Sequence, residues 1–312
     1  MDFRLFARTI NMAVRHFLSL MDLSADEIRQ IIHRAIEMKQ LLKAGATMDL
    51  MRHRTGVMVF EKSSTRTRVS FETGITHLGG NAIFLAPTDS HLSRGEPIED
   101  TAKILSSMAS LIIMRTGAHQ RIEKMAAAAS VPVINGLSDY NHPCQLLADI
   151  QTWIEHQNDI TGRTATWVGD GNNVCHSWMN AARQLGFHLR ISAPAGYQPD
   201  PELTAACGKS ISFHPNPMEA VDDVDLIVTD TWASMGQEQE KENREADFNG
   251  FRVDQSMMKA AHSKAIFMHC LPAYRGVEVT AEVIDGPQSV VWEEAENRLH
   301  AQKALMEFLL VR

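Results

Sequence analysis

The segment Phe60-Glu61-Lys62-Ser63-Ser64-Thr65-Arg66-Thr67-Arg68 has the make-up of an anion cradle. It joins an apolar run to a helical pattern, and a helix N-terminus offers free N–H groups and partial positive charge. Ser64, Thr65 and Thr67 add hydroxyl donors, and Arg66 adds a planar fork that matches phosphate oxygens. The same residues would also make an ordinary polar cap with solvated arginines; the strand-loop-helix setting favours the anion. No Walker loop (GxxxxGKS or GxxxxGKT) occurs, which makes a kinase or ATPase a poor fit.

Other polar groups fall in similar places. Arg115 ends the apolar run 111–114, either as an exposed strand-end charge or as a second guanidinium over the same crevice. In His142-Pro143-Cys144-Gln145 the proline presets the backbone, while His142 and Gln145 offer donors. A lone histidine at a helix start is more often a cap than a catalyst. Gly169-Asp170-Gly171-Asn172-Asn173-Val174 lacks the third glycine of a dinucleotide fingerprint, because Val174 stands there, and NAD is disfavoured. Asn173 could instead orient a carboxylate or an amino group.

Asp230-Thr231-Trp232-Ala233-Ser234-Met235-Gly236 follows the run 226–229. An acid at a strand's carboxyl end suits a cationic amine, and Ser234 with Gly236 suggests a tight loop. The acids of the charged run 237–247 read as solvated. His269-Cys270-Leu271-Pro272 follows the run 265–268 and raises the idea of a thiol nucleophile. Neighbours in an extended chain point to opposite faces, so His269 cannot easily activate Cys270, and no covalent mechanism is expected. Glu296-Asn297-Arg298-Leu299-His300 begins the last helix and offers Arg298 as a third phosphate-binding arginine.

Positioning these groups takes a scaffold. A capping box at Ser24 and Glu27 opens a first helix, with Ile28, Ile31, Ile32, Ala35 and Met38 at helical spacing. Strands are then expected at 56–60, 81–85, 111–114 and 131–134, and helices at 63–77, 97–108, 122–130 and 144–156. A second series has strands at 165–168, 188–192, 226–229 and 265–268, with a helix at 174–185. This alternation predicts an α/β protein of two doubly wound parallel-sheet domains, with ligands at the carboxyl ends of the strands.

The chain has 312 residues, 44% hydrophobic and 22% charged, enough for two ordinary domains. A net charge of −8 argues against a nucleic-acid binder, though focused arginines can hold a small anion in an acidic protein. Cys144, Cys175, Cys207 and Cys270 form no CxxC pair or zinc template and read as reduced thiols of a cytoplasmic protein. No apolar run is long enough for a membrane span. Met12 reads as a natural start, and residues 1–11 are expected to be poorly ordered.

The segments SSTRTR, HPCQ, DTWASMG, HCLP and AENR, in this order and spacing, resemble those of the ornithine carbamoyltransferases, from about Met12 to the end of the chain. SSTRTR, HPCQ and HCLP mark the wider carbamoyltransferase family, and DTWASMG points to ornithine as the acceptor. The resemblance implies a carbamoyl-phosphate-binding domain (residues 1–150), completed by a C-terminal helix (293–312) that returns to it, and an ornithine-binding domain (151–292). It implies carbamoyl transfer from carbamoyl phosphate to L-ornithine, no metal or organic cofactor, and a homotrimer with sites near subunit boundaries. Ser64, Thr65, Arg66 and Thr67 would hold the phosphate. Arg115, His142 and Gln145 would grip the carbamoyl end, joined by Cys270, Leu271 and Arg298. Asn173, Asp230, Ser234 and Met235 would hold ornithine, and the loop around Ser234 would close over it. Where many relatives extend a glutamine from the neighbouring subunit, this chain has His91.

Overall fold

A computed structural model describes residues 14–232, 244 and 246–311. The expectation for residues 1–11 lies outside these. Four parallel strands, β1 (Thr55–Phe60), β2 (Asn81–Leu85), β3 (Leu111–Arg115) and β4 (Val133–Leu137), form a first sheet in the order β2-β1-β3-β4. Five more, β5 (Thr164–Val168), β6 (His188–Ser192), β7 (Ile211–Phe213), β8 (Leu226–Thr229) and β9 (Ile266–His269), form a second parallel sheet in the order β7-β6-β5-β8-β9. The helices are α1 (Ala25–Lys43), α2 (Thr65–His77), α3 (Ile98–Met108), α4 (His119–Ala128), α5 (Pro143–Gln157), α6 (Asn173–Leu185), α7 (Pro201–Cys207), α8 (Pro217–Ala220), α9 (Gln255–Ala260), α10 (Ala281–Ile284) and α11 (Val291–Leu310). Among the described residues, no helix is long and apolar enough to cross a membrane.

Local chemistry explains most boundaries. Ser24 and Glu27 make both halves of the expected capping box on α1. Pro143 occupies the first turn of α5, where its missing N–H leaves no bond unmade. The expected strand at 131–134 shifts to 133–137, because Pro132 cannot donate to the ladder and Val133 begins the pairing with Ile112. β7 has three residues and was too short to show a period in the sequence.

α11 joins the two halves. It packs against α1, α2 and α5, so the end of the chain returns to the first sheet's side. Its polar residues Glu294, Asn297, Arg298, Gln302 and Lys303 are buried along with Val291, Ala301, Ala304 and Leu305. Such burial requires partners for every polar group. Lys39 of α1 donates to Glu155 of α5 and to Asn297 of α11, each at 2.8 Å, which ties three helices together.

In each sheet the strand order reverses at one point: between β1 and β3 in the first, and between β5 and β8 in the second. Crevices outside the carboxyl ends of strands open at such points, which is where open α/β sheets take ligands.

Candidate active site

Both reversal points face one cleft of about 760 Å³. Its first wall begins where β1 runs into α2. Ser64 caps α2, its Oγ accepting from Thr67 N–H at 3.3 Å and lying 3.0 Å from Thr67 Oγ1. Thr65, exposed, and Arg66, half-buried, thus sit on the first turn, and Arg66 Nη2 donates to Leu271 O at 2.8 Å. Leu271 has φ 55°, a left-handed conformation unusual for a leucine, and its carbonyl is the one Arg66 reaches.

Arg115 ends β3 and Arg298 lies on α11; they are 4% and 3% exposed. One guanidinium N–H of each lies 3.5 Å from Thr67 Oγ1, a long contact that nonetheless fixes both at one point. Burial lowers the Arg115 guanidinium to about 10, and repulsion from Arg298 and Arg66 adds to this. Its Nε has no hydrogen-bond partner among the described residues. Arginines are held protonated in proteins, so the shift is a sign of uncompensated positive charge that a bound oxyanion would relieve. His142, at the start of α5, is pushed well below the ordinary histidine range by burial and by the same three arginines. It is therefore a neutral imidazole in the cleft wall.

The second wall comes from β5, β8 and β9. Asn172 caps α6 through Val174 N–H and Cys175 N–H, and its Nδ2 donates to Asp230 Oδ2 at 2.9 Å. Asp230 Oδ1 accepts from Thr231 N–H at 2.7 Å and from the Cys270 thiol at 3.1 Å. A caged acid at a strand end can present fixed negative charge to an amine.

Burial, and then the acids Asp230, Glu294 and Asp149, raise the Cys270 thiol well above the ordinary cysteine range, so it stays protonated at neutral pH. Iodoacetamide should alkylate Cys270 slowly at pH 7.5, with a rate that keeps rising beyond pH 9. A plateau already reached between pH 7 and 8 would mean that a thiolate forms there. His269 turns elsewhere: its Nδ1 accepts from Leu271 N–H at 2.9 Å and its Nε2 meets Glu278 Oε1 at 3.1 Å. Ligand atoms of Asp230, His269 and Cys270 lie within 4.8 Å of one another. Since both imidazole nitrogens are already bonded, a metal there would have to displace these contacts.

Most of the residues expected from the sequence meet in this cleft. Ser64, Thr65, Arg66, Thr67, Arg115, His142 and Arg298 line one side, and Asn173, Asp230, Cys270 and Leu271 the other. Asn173 also donates to Ser138 O at 2.7 Å, bridging to the loop after β4. Gln145 stands behind the wall, 1% exposed, with its Oε1 accepting from Arg298 at 2.6 Å. His91 is exposed on a 3-10 turn (His91–Arg94) and does not line the cleft of its own chain. Ser234 and Met235 lie outside the described residues.

Sequence reasoning passed over Lys62, Asp170, Asn172, His176 and Arg244, which also line the cleft. Arg244 donates to Asp170 Oδ2 at 2.7 Å and to Trp232 O at 2.6 Å, so this one residue of the charged run is buried at the cleft. Arg244 is one of two cations, with Lys241, in a run of acids, and an acid at a strand end for it to pair with was the available signal. Asn172 was visible as the N-cap position of α6.

Comparison with known proteins agrees with this geometry. Residues 15–155 match the family described as aspartate/ornithine carbamoyltransferase, carbamoyl-P binding domain, and residues 161–309 match its Asp/Orn binding domain. The ornithine carbamoyltransferase of Hydrogenovibrio crunogenus is 56% identical over 301 residues, covering 96% of this chain and 100% of that protein. Among solved structures, the ornithine carbamoyltransferase from Burkholderia thailandensis aligns with TM-score 0.90 at 48% identity, covering 96% of this chain and 99% of that one. The enzyme from Pyrococcus furiosus aligns with TM-score 0.91 at 47% identity, covering 96% and 98%. A cleft with a cationic wall and an acid-bearing wall, built by two parallel sheets whose sequences match both halves of one family along nearly the whole chain, leads to one conclusion: this protein belongs to the aspartate/ornithine carbamoyltransferase family.

Proposed function

We propose that the protein transfers the carbamoyl group of carbamoyl phosphate to the side-chain amine of L-ornithine, giving L-citrulline and phosphate. The observation that carries this reading is the polarity of the cleft. Arg66, Arg115 and Arg298 converge around Thr67 on one side, and Asp230 with the Cys270 thiol stands on the other. A phosphorylated donor fits the first wall and a cationic amino acid the second. An aspartate acceptor would bring a carboxylate toward Asp230 where ornithine brings an amine, a like-charge contact.

In this reading Arg66 and Arg298 hold the phosphate with the Ser64–Thr67 turn, while Arg115, Thr67 and neutral His142 face the carbonyl oxygen. The neutral side-chain amine of ornithine attacks the carbonyl carbon and a C–N bond forms. The bond from that carbon to the phosphate oxygen breaks, its electron pair leaves with phosphate, and the surplus amine proton is released. Negative charge grows first on the carbonyl oxygen and then on the phosphate, where fixed donors cost nothing to reorganise. Asp230 and Cys270 orient the amine, so the reaction gains from alignment more than from a strong base. The reading carries with it a role in arginine biosynthesis in the cytoplasm and a trimer in which His91 would serve a neighbouring subunit's donor site.

A panel of acceptors tests it. With carbamoyl phosphate present, ornithine should give a ureido product at a rate at least about 100-fold above aspartate, putrescine or N-acetylornithine, a ratio that rests on pairing or not pairing a buried charge. Equal or faster turnover of any of the other three would reject ornithine as the acceptor.

A further inference from the structure

Behind the cationic wall lie two acids that the transfer chemistry leaves unused. Asp149 follows Gln145 by one turn of α5, and Glu294 precedes Arg298 by one turn of α11. Each is 1% exposed, and their carboxyls are hydrogen-bonded to each other. Gln145 Nε2 donates to Asp149 Oδ1 at 2.8 Å and to Glu294 Oε1 at 3.0 Å, while its Oε1 accepts from Arg298 Nη1 at 2.6 Å. Glu294 Oε2 accepts the backbone N–H of His269 at 2.9 Å, which reaches the end of β9 beside Cys270.

Two ionised carboxylates do not face each other in a buried site, so the pair holds one proton between them. Burial raises both carboxyls above their usual range. The groups facing them are Gln145 from α5, Arg298 from α11, Cys270 after β9 and Asp230 after β8. A pair with one negative charge offsets only one of the three guanidinium charges, so net positive charge remains in the cleft to meet an incoming anion.

The arrangement also decides which way the Gln145 amide points. Turned over, its NH₂ would meet the Arg298 guanidinium, donor against donor, and its oxygen would meet the acids. Acceptors on one side and a cation on the other permit one orientation. Gln302 holds the other flank of Arg298: with its nitrogen toward Ser70, its oxygen accepts from Arg298 Nε at 3.1 Å and Nη2 at 2.9 Å.

We propose that Asp149 and Glu294 are positioning residues for the donor half-site: a carboxyl pair sharing one proton that sets the Gln145 amide and, through it, aims the Arg298 guanidinium at the phosphate. This inference rests on the carbamoyl-phosphate reading of the cleft. The pair is not symmetric. Glu294 needs both oxygens as acceptors, for Gln145 and for His269 N–H, while still sharing the proton. Asp149 needs one oxygen for Gln145, and an amide there can supply the shared hydrogen.

The test is calorimetric titration of inorganic phosphate into the full-length protein and three near-isosteric variants. Phosphate carries no carbamoyl group, so any direct contact of Gln145 with that end of the donor is not read. Asp149→Asn should bind within about threefold of the parent. Glu294→Gln and Gln145→Met should each weaken binding about tenfold or more, about 1.4 kcal/mol. Parent-like binding by either of these two, or equal damage from Asp149→Asn and Glu294→Gln, would overturn the proposal. If Glu294→Gln fails to fold by circular dichroism, Gln145→Met against Asp149→Asn still decides. The reading of the reaction itself fails separately, when the unaltered protein forms no product in the acceptor panel.

Discussion

Arg115→Met should lower turnover of carbamoyl phosphate about 1,000-fold, the loss expected when one preorganised donor to a developing oxyanion is removed. The residue ends β3, is almost fully buried, and touches Thr67 Oγ1 in company with Arg298. Methionine keeps an unbranched apolar stem and removes the charged guanidinium. Because burial and the neighbouring arginines already press on the Arg115 cation, the ligand-free variant should melt no lower than the parent. Its thermal stabilisation by saturating phosphate should shrink at the same time. Steady-state kinetics and melting curves with and without phosphate check both halves. Retained turnover, or a collapse of the ligand-free fold, would count against an arginine kept for binding at the expense of stability. Arg115→Lys should recover little, since a point charge cannot reproduce the planar fork.

Asp230→Asn acts on the other wall. The change should cut kcat/KM for ornithine roughly 100-fold, near the upper end for a hydrogen bond to a charged group. Affinity for phosphate should stay within about threefold, because the arginines reach it from the first lobe. The same variant removes an acid next to the Cys270 thiol, so alkylation of Cys270 should speed up at fixed pH. Kinetics in both substrates, with the alkylation rate alongside, separates loss of amine binding from general damage. An equal fall in donor and acceptor terms would indicate damage.

Much of this site was legible because parallel α/β sheets put chemistry at one kind of place. Arg115 after β3, Asp230 after β8 and Cys270 after β9 are single residues at strand ends, and short apolar runs announce those strands without ambiguity. The Ser64 cap and the turn to Arg66 follow from local hydrogen bonding, which sequence shows directly. What was hidden depends on packing between distant helices. Asp149 and Glu294 look like ordinary helical acids one turn from a polar partner, the pattern of a solvated face. Only the seating of α11 on α5 buries them, and nothing local to either helix encodes that contact. Gln145 reads as a cleft donor in its motif, yet its amide is spent on those acids and on Arg298. Arg244 was hidden for a related reason: its burial comes from Asp170, far away in the chain.

The most direct measurement follows the atoms. Carbamoyl phosphate labelled with ¹³C at the carbonyl is mixed with ornithine and the purified protein, and the label is tracked by NMR while phosphate is measured in the same tube. The label should move into the ureido carbon of citrulline, with one phosphate released for each citrulline formed. Phosphate released while the label appears as bicarbonate, at the rate seen without protein, would mean that the two walls of the cleft do not join donor to amine.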